Sequence, residues 1–130
     1  MTLLIHAAAA WFMAGVIWIM QFVHYPSLDQ AAPAVFERNA RLTAFVIVPV
    51  MLAEMATALM ISNSFLAQIG VVLLAVAWCS TLLVQYPLHR RLSRRFAPDD
   101  YARLLRTNWI RVAAWSARGV IALMLLRRAS

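Results

Sequence analysis

Two oppositely charged side chains lie near the middle of long apolar segments of this 130-residue chain. Glu54 stands in the second such segment and Arg118 in the fourth, at matching depths. An ionisable side chain at membrane depth is costly and normally faces the protein interior or a water-filled cavity. We therefore predict that Glu54 and Arg118 form a buried pair, which either clamps the structure or takes part in chemistry.

Other polar side chains share helical faces with this pair. The spacing of Asn108, Arg111, Trp115 and Arg118 places all four on one face of a helix. Similar stripes are formed by Gln21 and His24 in the first segment and by Trp78, Leu82, Gln85 and His89 in the third. The candidate catalytic residues are therefore His24, Glu54 and Arg118, and the candidate ligand-binding residues are Gln21, Gln85, His89, Asn108, Arg111 and Trp115.

Three chemistries would use these side chains. His24, His89 and Glu54 have the donor types of a metal site in a helical bundle. His24 and His89 could instead ligate a haem. In the third interpretation His24 is an acid or base acting on an aromatic or quinone-like substrate, while Arg111 or Arg118 stabilises a developing oxyanion. The structural alternatives are an interfacial His24 bonded to a helix-end carbonyl and an Arg111 that extends to the membrane surface.

The composition indicates which elements must position these residues. Hydrophobic residues make up 64% of the chain and charged residues 13%, whereas soluble domains have roughly 45–50% and about 25%. A helix of about 20 apolar residues spans a bilayer. Four segments reach or approach that length, namely Leu3–Val23, Ala44–Ile61, Leu66–Tyr86 and Trp109–Leu126. We predict an all-α integral membrane protein, a four-transmembrane-helix bundle that forms one membrane domain over residues 1–130.

The two halves of the chain repeat a pattern. Tyr25-Pro26 and Tyr86-Pro87 are 61 residues apart, and the pattern Pro-x-x-(Phe/Tyr)-x-Arg-x-x-Arg starts at both Pro33 and Pro98. We predict two tandem helical-hairpin repeats, at about residues 3–61 and 66–126. Because proline disfavours helical geometry in the preceding residue, we expect the first and third spans to end at the Tyr-Pro pairs. A separate short cytoplasmic helix is then expected before the second and the fourth span.

The arginines predict the orientation. All 12 basic residues are Arg, and the chain carries a net charge of +7. They concentrate in the links that follow spans one and three, so the positive-inside rule places these links in the cytoplasm and both termini in the periplasm. The absence of Lys, together with abundant Arg and Ala, indicates a bacterium with a GC-rich genome. We therefore predict that the four spans cross a bacterial inner membrane. The excess charge is explained by topology and by attraction to anionic lipid headgroups, and no nucleic acid is expected as a partner.

Several motifs resemble a known family. These are His24-Tyr25-Pro26, the stretch from Thr81 to Leu92, and Leu104-Leu105-Arg106-Thr107-Asn108-Trp109 with Arg118 beyond it. Together they resemble the anthrone-oxygenase-like group of small four-span bacterial and fungal membrane proteins. The resemblance implies a four-helix membrane fold and an oxygenase activity that uses no obvious cofactor. The sequence differs from the family at Leu88-His89, where the family has Thr-Asn, and at Ala113 and Ala114, where the family has a histidine.

Two classes of function follow. The first is a non-enzymatic membrane subunit, or a binder of a hydrophobic ligand in a polar intramembrane pocket open to the cytoplasmic side. The alternative is a membrane-embedded oxidoreductase or oxygenase-like enzyme acting on an aromatic or quinoid substrate. The residues do not decide between them, nor whether a haem or a metal ion is bound. A homo-oligomer or a larger membrane complex fits either class. Tyr25, Tyr86, Trp109 and Trp11 are interpreted as interfacial aromatic residues.

Overall fold

A computed structural model describes residues 1–129, and four long helical segments account for most of it. The helices are α1 (Thr2–Ile19), α2 (Pro33–Met60), α3 (Phe65–Ser80), α4 (Tyr86–Leu92) and α5 (Pro98–Ala129). A π turn follows α1 at Met20–His24 and another follows α3 at Thr81–Gln85, and a 3₁₀ turn covers Pro26–Leu28. Four segments are long and apolar enough to cross a membrane. The predicted all-α, four-helix membrane bundle is confirmed.

Helix α5 is the centre of the packing. It contacts α1 on one side and α3 on the other, and α1 also packs along α2. Trp115 of α5 is fully buried among Met13, Ile17 and Met51. Large apolar side chains cover the outside of the bundle, where Phe45 is 82% exposed, as expected for a surface that faces lipid rather than water. The polar residues of the site are therefore held between α5 and the helices around it.

The short link between α2 and α3 produces the hairpin expected from its sequence. Ser64 precedes α3 in an extended conformation, and its hydroxyl accepts a hydrogen bond from the Ala67 N–H at 3.3 Å. This bond satisfies one of the free N–H groups at the start of the helix. Helices α2 and α3 pack only lightly against each other. Helix α2 packs more closely on α1, and helix α3 packs more closely on α5.

The second Tyr-Pro pair does not end its span, which corrects the prediction, whereas the first span ends at Leu28, close to Tyr25 as expected. The third span continues through Pro87 to Leu92. A proline inside an α-helix clashes with the carbonyl four residues earlier and removes a hydrogen bond. Here each pair follows a π turn, in which the N–H of Tyr25 bonds to the carbonyl of Met20 and that of Tyr86 to Thr81, five residues earlier. The altered bonding pattern lets the chain remain helical at the proline.

The two π turns also have the spacing of the sequence repeat. Met20–His24 and Thr81–Gln85 are each five residues long and begin 61 residues apart, as do the Tyr-Pro pairs. The two halves therefore share an irregular element at equivalent positions. Duplication of an ancestral hairpin stays a prediction.

The short helices expected to begin at Pro33 and Pro98 are not separate from spans two and four. Residues Pro33–Met60 form one continuous helix, and so do residues Pro98–Ala129. The first turns of α2 are held by Phe36, which is fully buried beside Leu88, Leu92 and Leu104. Packing therefore stabilises this part of α2 although it lies outside the apolar run, and no breaking residue separates it from the span.

Candidate functional site

A charged cluster occupies the interior at the depth of Glu54. Arg118 Nε donates to Glu54 Oε1 at 2.6 Å, and Trp115 Nε1 donates to Glu54 Oε2 at 2.9 Å. Arg118 Nη1 donates to the carbonyl of Gly70 on α3. Glu54 and Trp115 are 0% exposed and Arg118 is 2% exposed. The predicted Glu54–Arg118 pair is confirmed, and both carboxylate oxygens have a donor.

His6 belongs to the same region, although no partner was predicted for it. Its Nδ1 lies 3.1 Å from Thr57 Oγ1. Because the Thr57 hydroxyl donates to the Ala53 carbonyl at 2.8 Å, it accepts a hydrogen bond from His6. Thr57 follows Glu54 by three residues and so shares its helical face. That spacing could have placed Thr57 beside the charged pair, but no signal in the sequence identifies His6 as the partner of Thr57.

A second polar cluster lies towards the Arg-rich links and joins α5 to both π turns. Asn108 Nδ2 donates to Gln21 Oε1 at 2.8 Å, and Gln85 Nε2 donates to Thr107 Oγ1 at 2.9 Å. Gln21 and Gln85 both belong to π turns. The side chains of Gln21, Gln85 and Asn108, three candidate ligand-binding residues, therefore connect α5 to the two π turns. The side-chain amide oxygens of Asn108 and Gln85 are buried without a hydrogen-bond partner among the described residues.

Beside this cluster lies a cavity of about 110 Å³. Four elements line it: the first π turn and the adjoining Tyr25, the middle of α2, the second π turn with the start of α4, and Arg111 of α5. Its polar lining includes His24, Gln85, His89 and Arg111. Four of the predicted site residues, from α5 and both halves of the π-turn pattern, are thus brought to one cavity.

Tyr25 is part of this lining, and its interpretation as an interfacial residue is wrong. The side chain is 0% exposed, and its hydroxyl lies 3.3 Å from His89 Nε2. Its ring also lies 5.8 Å from that of His24 between centroids. Tyr86, the equivalent residue of the second half, is 58% exposed and fits the interfacial interpretation.

Arg111 is the unusual residue of the cavity. It is 3% exposed, so its side chain does not extend to the membrane surface. Its guanidinium carbon lies 5.5 Å from the centre of the Trp115 ring, within the range of a cation–π contact. Within residues 1–129 the ion pairs are Arg118–Glu54 and Arg91–Asp100, so Arg111 has no carboxylate partner there. Its Nε also has no hydrogen-bond acceptor.

The stripe predicted on the third span is wrong at one position. Leu82 is 53% exposed, whereas Gln85 is 1% exposed. The second π turn adds a residue to one helical turn, which breaks the 3.6-residue periodicity on which the stripe depended. The stripe on α5 contains no such turn, and its four residues are all buried.

The residues considered for a metal do not come together. Across the described residues 1–129, no three His, Cys, Asp or Glu side chains form a group that could hold a metal ion. Glu54 uses both carboxylate oxygens to accept from Arg118 and Trp115, while His24 and His89 line the cavity. The structure therefore separates the carboxylate from the two imidazoles.

Comparison with known proteins leaves the family open. No protein-family model matches the chain, and neither a curated protein nor a solved structure is significantly similar to it. The resemblance to the anthrone-oxygenase-like group stays a prediction that rests on the motifs quoted above.

Proposed function

We propose that this protein binds a hydrophobic small molecule whose polar end occupies the cavity beside Arg111. The observation that carries the proposal is a buried arginine that lines a cavity and has no carboxylate partner in the described chain. A buried charge is strongly unfavourable unless it is paired. A ligand that supplies an acceptor to Arg111 would remove this cost on binding.

Other unpaired polar atoms support a ligand at this place. Gln85 Oε1, His89 Nδ1 and Arg111 Nε belong to cavity-lining residues and are buried without hydrogen-bond partners. Each such atom costs about 1–3 kcal/mol if it stays unsatisfied. A ligand would complete these bonds if the side chains turn towards the cavity, since the three atoms themselves are buried in this structure.

The position of the cavity supports a binding site open towards the cytoplasm. The cavity lies between the ends of the helices that carry the Arg-rich links, since it is lined by Ala40 next to Arg41 and by His89 next to Arg90. By the positive-inside rule these links are cytoplasmic and both termini are periplasmic. We propose a bacterial inner membrane as the location, because the chain is rich in Arg and Ala and has no Lys.

Filling the cavity tests the binding function. Ala44 lines the cavity, whereas Ala56 is exposed on the same helix and lies outside it. We expect the wild-type protein and Ala56→Phe, extracted in native lipid particles, to retain one hydrophobic molecule at near-stoichiometric amounts by mass spectrometry. Ala44→Phe should retain less than a tenth of it. Equal retention by both variants, or no retained molecule in the wild type, would refute the proposal.

The alternative function is an enzyme acting on an aromatic or quinoid substrate. The observation that favours it is the hydroxyl–imidazole contact of Tyr25 and His89, with His24 on the same cavity. These groups could move a proton to or from a bound ring, and Arg111 is placed to stabilise an oxyanion.

Proton exchange tests the enzyme. Anthrone exchanges its C10 hydrogens through an enolate, so we expect the protein to accelerate deuterium incorporation there. His24→Ala should lower the rate by about 100-fold or more, while His6→Ala, which lies outside the cavity, should retain it. No acceleration by the wild type, or full activity of His24→Ala, would exclude this function.

A further inference from the structure

The cavity adjoins an apolar groove on the lipid-facing surface between α1 and α2. The groove has a volume of about 320 Å³ and is lined by Val16, Ile19, Leu42 and Val46, among others. Met20, His24, Thr43 and Ile47 line both the groove and the cavity. A molecule held in the cavity would therefore meet this groove directly, at His24.

Both spaces are lined mainly by apolar side chains, and they differ in which polar side chains reach them. Arg111, Gln85 and His89 line the cavity and not the groove. Apart from the shared His24 and Thr43, the groove is lined by apolar side chains, of which Ile19 is 61% and Val46 is 53% exposed. Binding pockets for whole drug-sized ligands have volumes of about 300–1,000 Å³. A cavity of about 110 Å³ is below that range, so it fits the polar head of a ligand and the remainder must lie elsewhere.

Resting on the proposed function, we propose that the ligand is a single-chain amphiphile with a carboxylate head, of the long-chain fatty-acid class. The carboxylate pairs with Arg111 in the cavity, and the chain lies in the groove between α1 and α2. The head group is inferred to be an anion because Arg111 is a buried cation and no carboxylate of residues 1–129 forms an ion pair with it.

The geometry of the head group favours a carboxylate over a neutral oxygen. A guanidinium presents its N–H groups in a planar fork that matches two carboxylate oxygens. Arg111 Nε is one such donor and has no protein acceptor; because it is buried in this structure, the side chain must turn towards the cavity to present it to a ligand. A ketone or an alcohol would fill the space but would leave the charge of Arg111 unpaired. Because the groove opens to the lipid, the amphiphile enters laterally from the bilayer.

Binding of radiolabelled palmitate to the detergent-purified protein tests the head group without any mutation. We expect saturable binding of one palmitate per chain. Unlabelled palmitate should compete, whereas hexadecanol, which has the same chain and no charge, should need at least a tenfold higher concentration. Equal competition by the two would overturn the carboxylate assignment. Preferential competition by a phosphatidylglycerol would overturn it in favour of a phospholipid.

Two variants of α5 test the arginine. Arg111→Gln should weaken palmitate binding at least tenfold and abolish the preference over hexadecanol. Arg106→Gln removes an exposed arginine from the same helix and should leave both unchanged. If Arg111→Gln does not fold, which a loss of the monodisperse peak on size-exclusion chromatography would show, the palmitate–hexadecanol comparison still decides the point.

Two variants of α2 test the groove. Val46→Trp fills it, whereas Val48→Trp places the same side chain on an exposed position of α2 that does not line it. We expect at least a tenfold loss of palmitate affinity in the first and no change in the second. Equal affinities would overturn the placement of the chain.

The outcomes separate this inference from the proposed function. If palmitate does not bind but Ala44→Phe still loses a co-purified hydrophobic molecule, the ligand class is wrong and the binding function stands. If palmitate does not bind and no molecule is lost from Ala44→Phe, both are wrong.

Discussion

Glu54 shows how a single side chain can hold a charge in the interior of a membrane bundle. Each of its carboxylate oxygens accepts one hydrogen bond, from Arg118 and from Trp115, both on α5. The arginine in turn donates to the Gly70 carbonyl on α3. Three helices are therefore joined through one ion pair, which fixes their relative depth. Such a pair determines the register of the helices even where its net contribution to stability is small.

Replacing one member of the Glu54–Arg118 pair should destabilise the protein more than replacing both. Glu54→Gln and Arg118→Gln should each lower the free energy of unfolding by about 3–5 kcal/mol, because each leaves one buried charge alone. The double variant should be less destabilised than either single variant. Denaturant-induced unfolding in detergent measures all three, with Glu37→Gln, at an exposed position of the same helix, as the control. Additive losses would contradict direct coupling of the two residues.

Arg111 and Arg118 lie two turns apart on one helix and have different surroundings. Both are buried and both adjoin Trp115, but only Arg118 is paired with a carboxylate. The sequence was sufficient to predict the pair because Glu54 and Arg118 have matching depths in their spans. It did not distinguish a buried Arg111 from one that reaches the surface, since this depends on which helix covers it.

At the scale of the elements, the accuracy of the sequence prediction depended on helical regularity. On α5 the 3.6-residue period holds throughout, and the predicted stripe is buried as expected. On the third span the π turn changes the period, so Leu82 was placed inside and is instead exposed. The burial of Tyr25 was missed for another reason, because its aromatic type and its place at the end of a span indicated an interfacial residue. Local sequence propensities do not predict a π turn. The only local feature that indicates its position is the proline that follows each π turn.

The length of α2 depends on tertiary packing, which a hydropathy pattern does not predict. The apolar run predicted a second span from Ala44, but α2 begins at Pro33 because Phe36 is buried against α4 and α5. The extension matters for the site, since Ala40 and Thr43 on it line the cavity. The number and type of the spans could thus be predicted from composition, whereas the wall of the cavity required the tertiary contacts.

For the whole molecule, most of the exposed arginines lie at the end of the bundle that holds the cavity, whereas Arg127 and Arg128 lie at the opposite end. The arginines of both links lie at the end where the cavity is found, and the turn between α2 and α3 at the opposite end carries only Ser62, Asn63 and Ser64. An anionic amphiphile in the leaflet at the Arg-rich end would be concentrated near the cavity by this charge. If the proposed function is correct, the side of the membrane on which the arginines lie determines which leaflet supplies the ligand.

Labelling with a membrane-impermeant maleimide tests this orientation. In a Cys79→Ser background, Asn63→Cys places a thiol in the α2–α3 turn and Ala102→Cys places one in the first turns of α5, both at exposed positions. Because the Arg-rich links are expected in the cytoplasm, intact bacterial cells should label Asn63→Cys and leave Ala102→Cys unlabelled until lysis. The reverse pattern would place the cavity at the periplasmic leaflet. The ligand would then come from that leaflet, and the arginines would have to be explained by a partner rather than by topology.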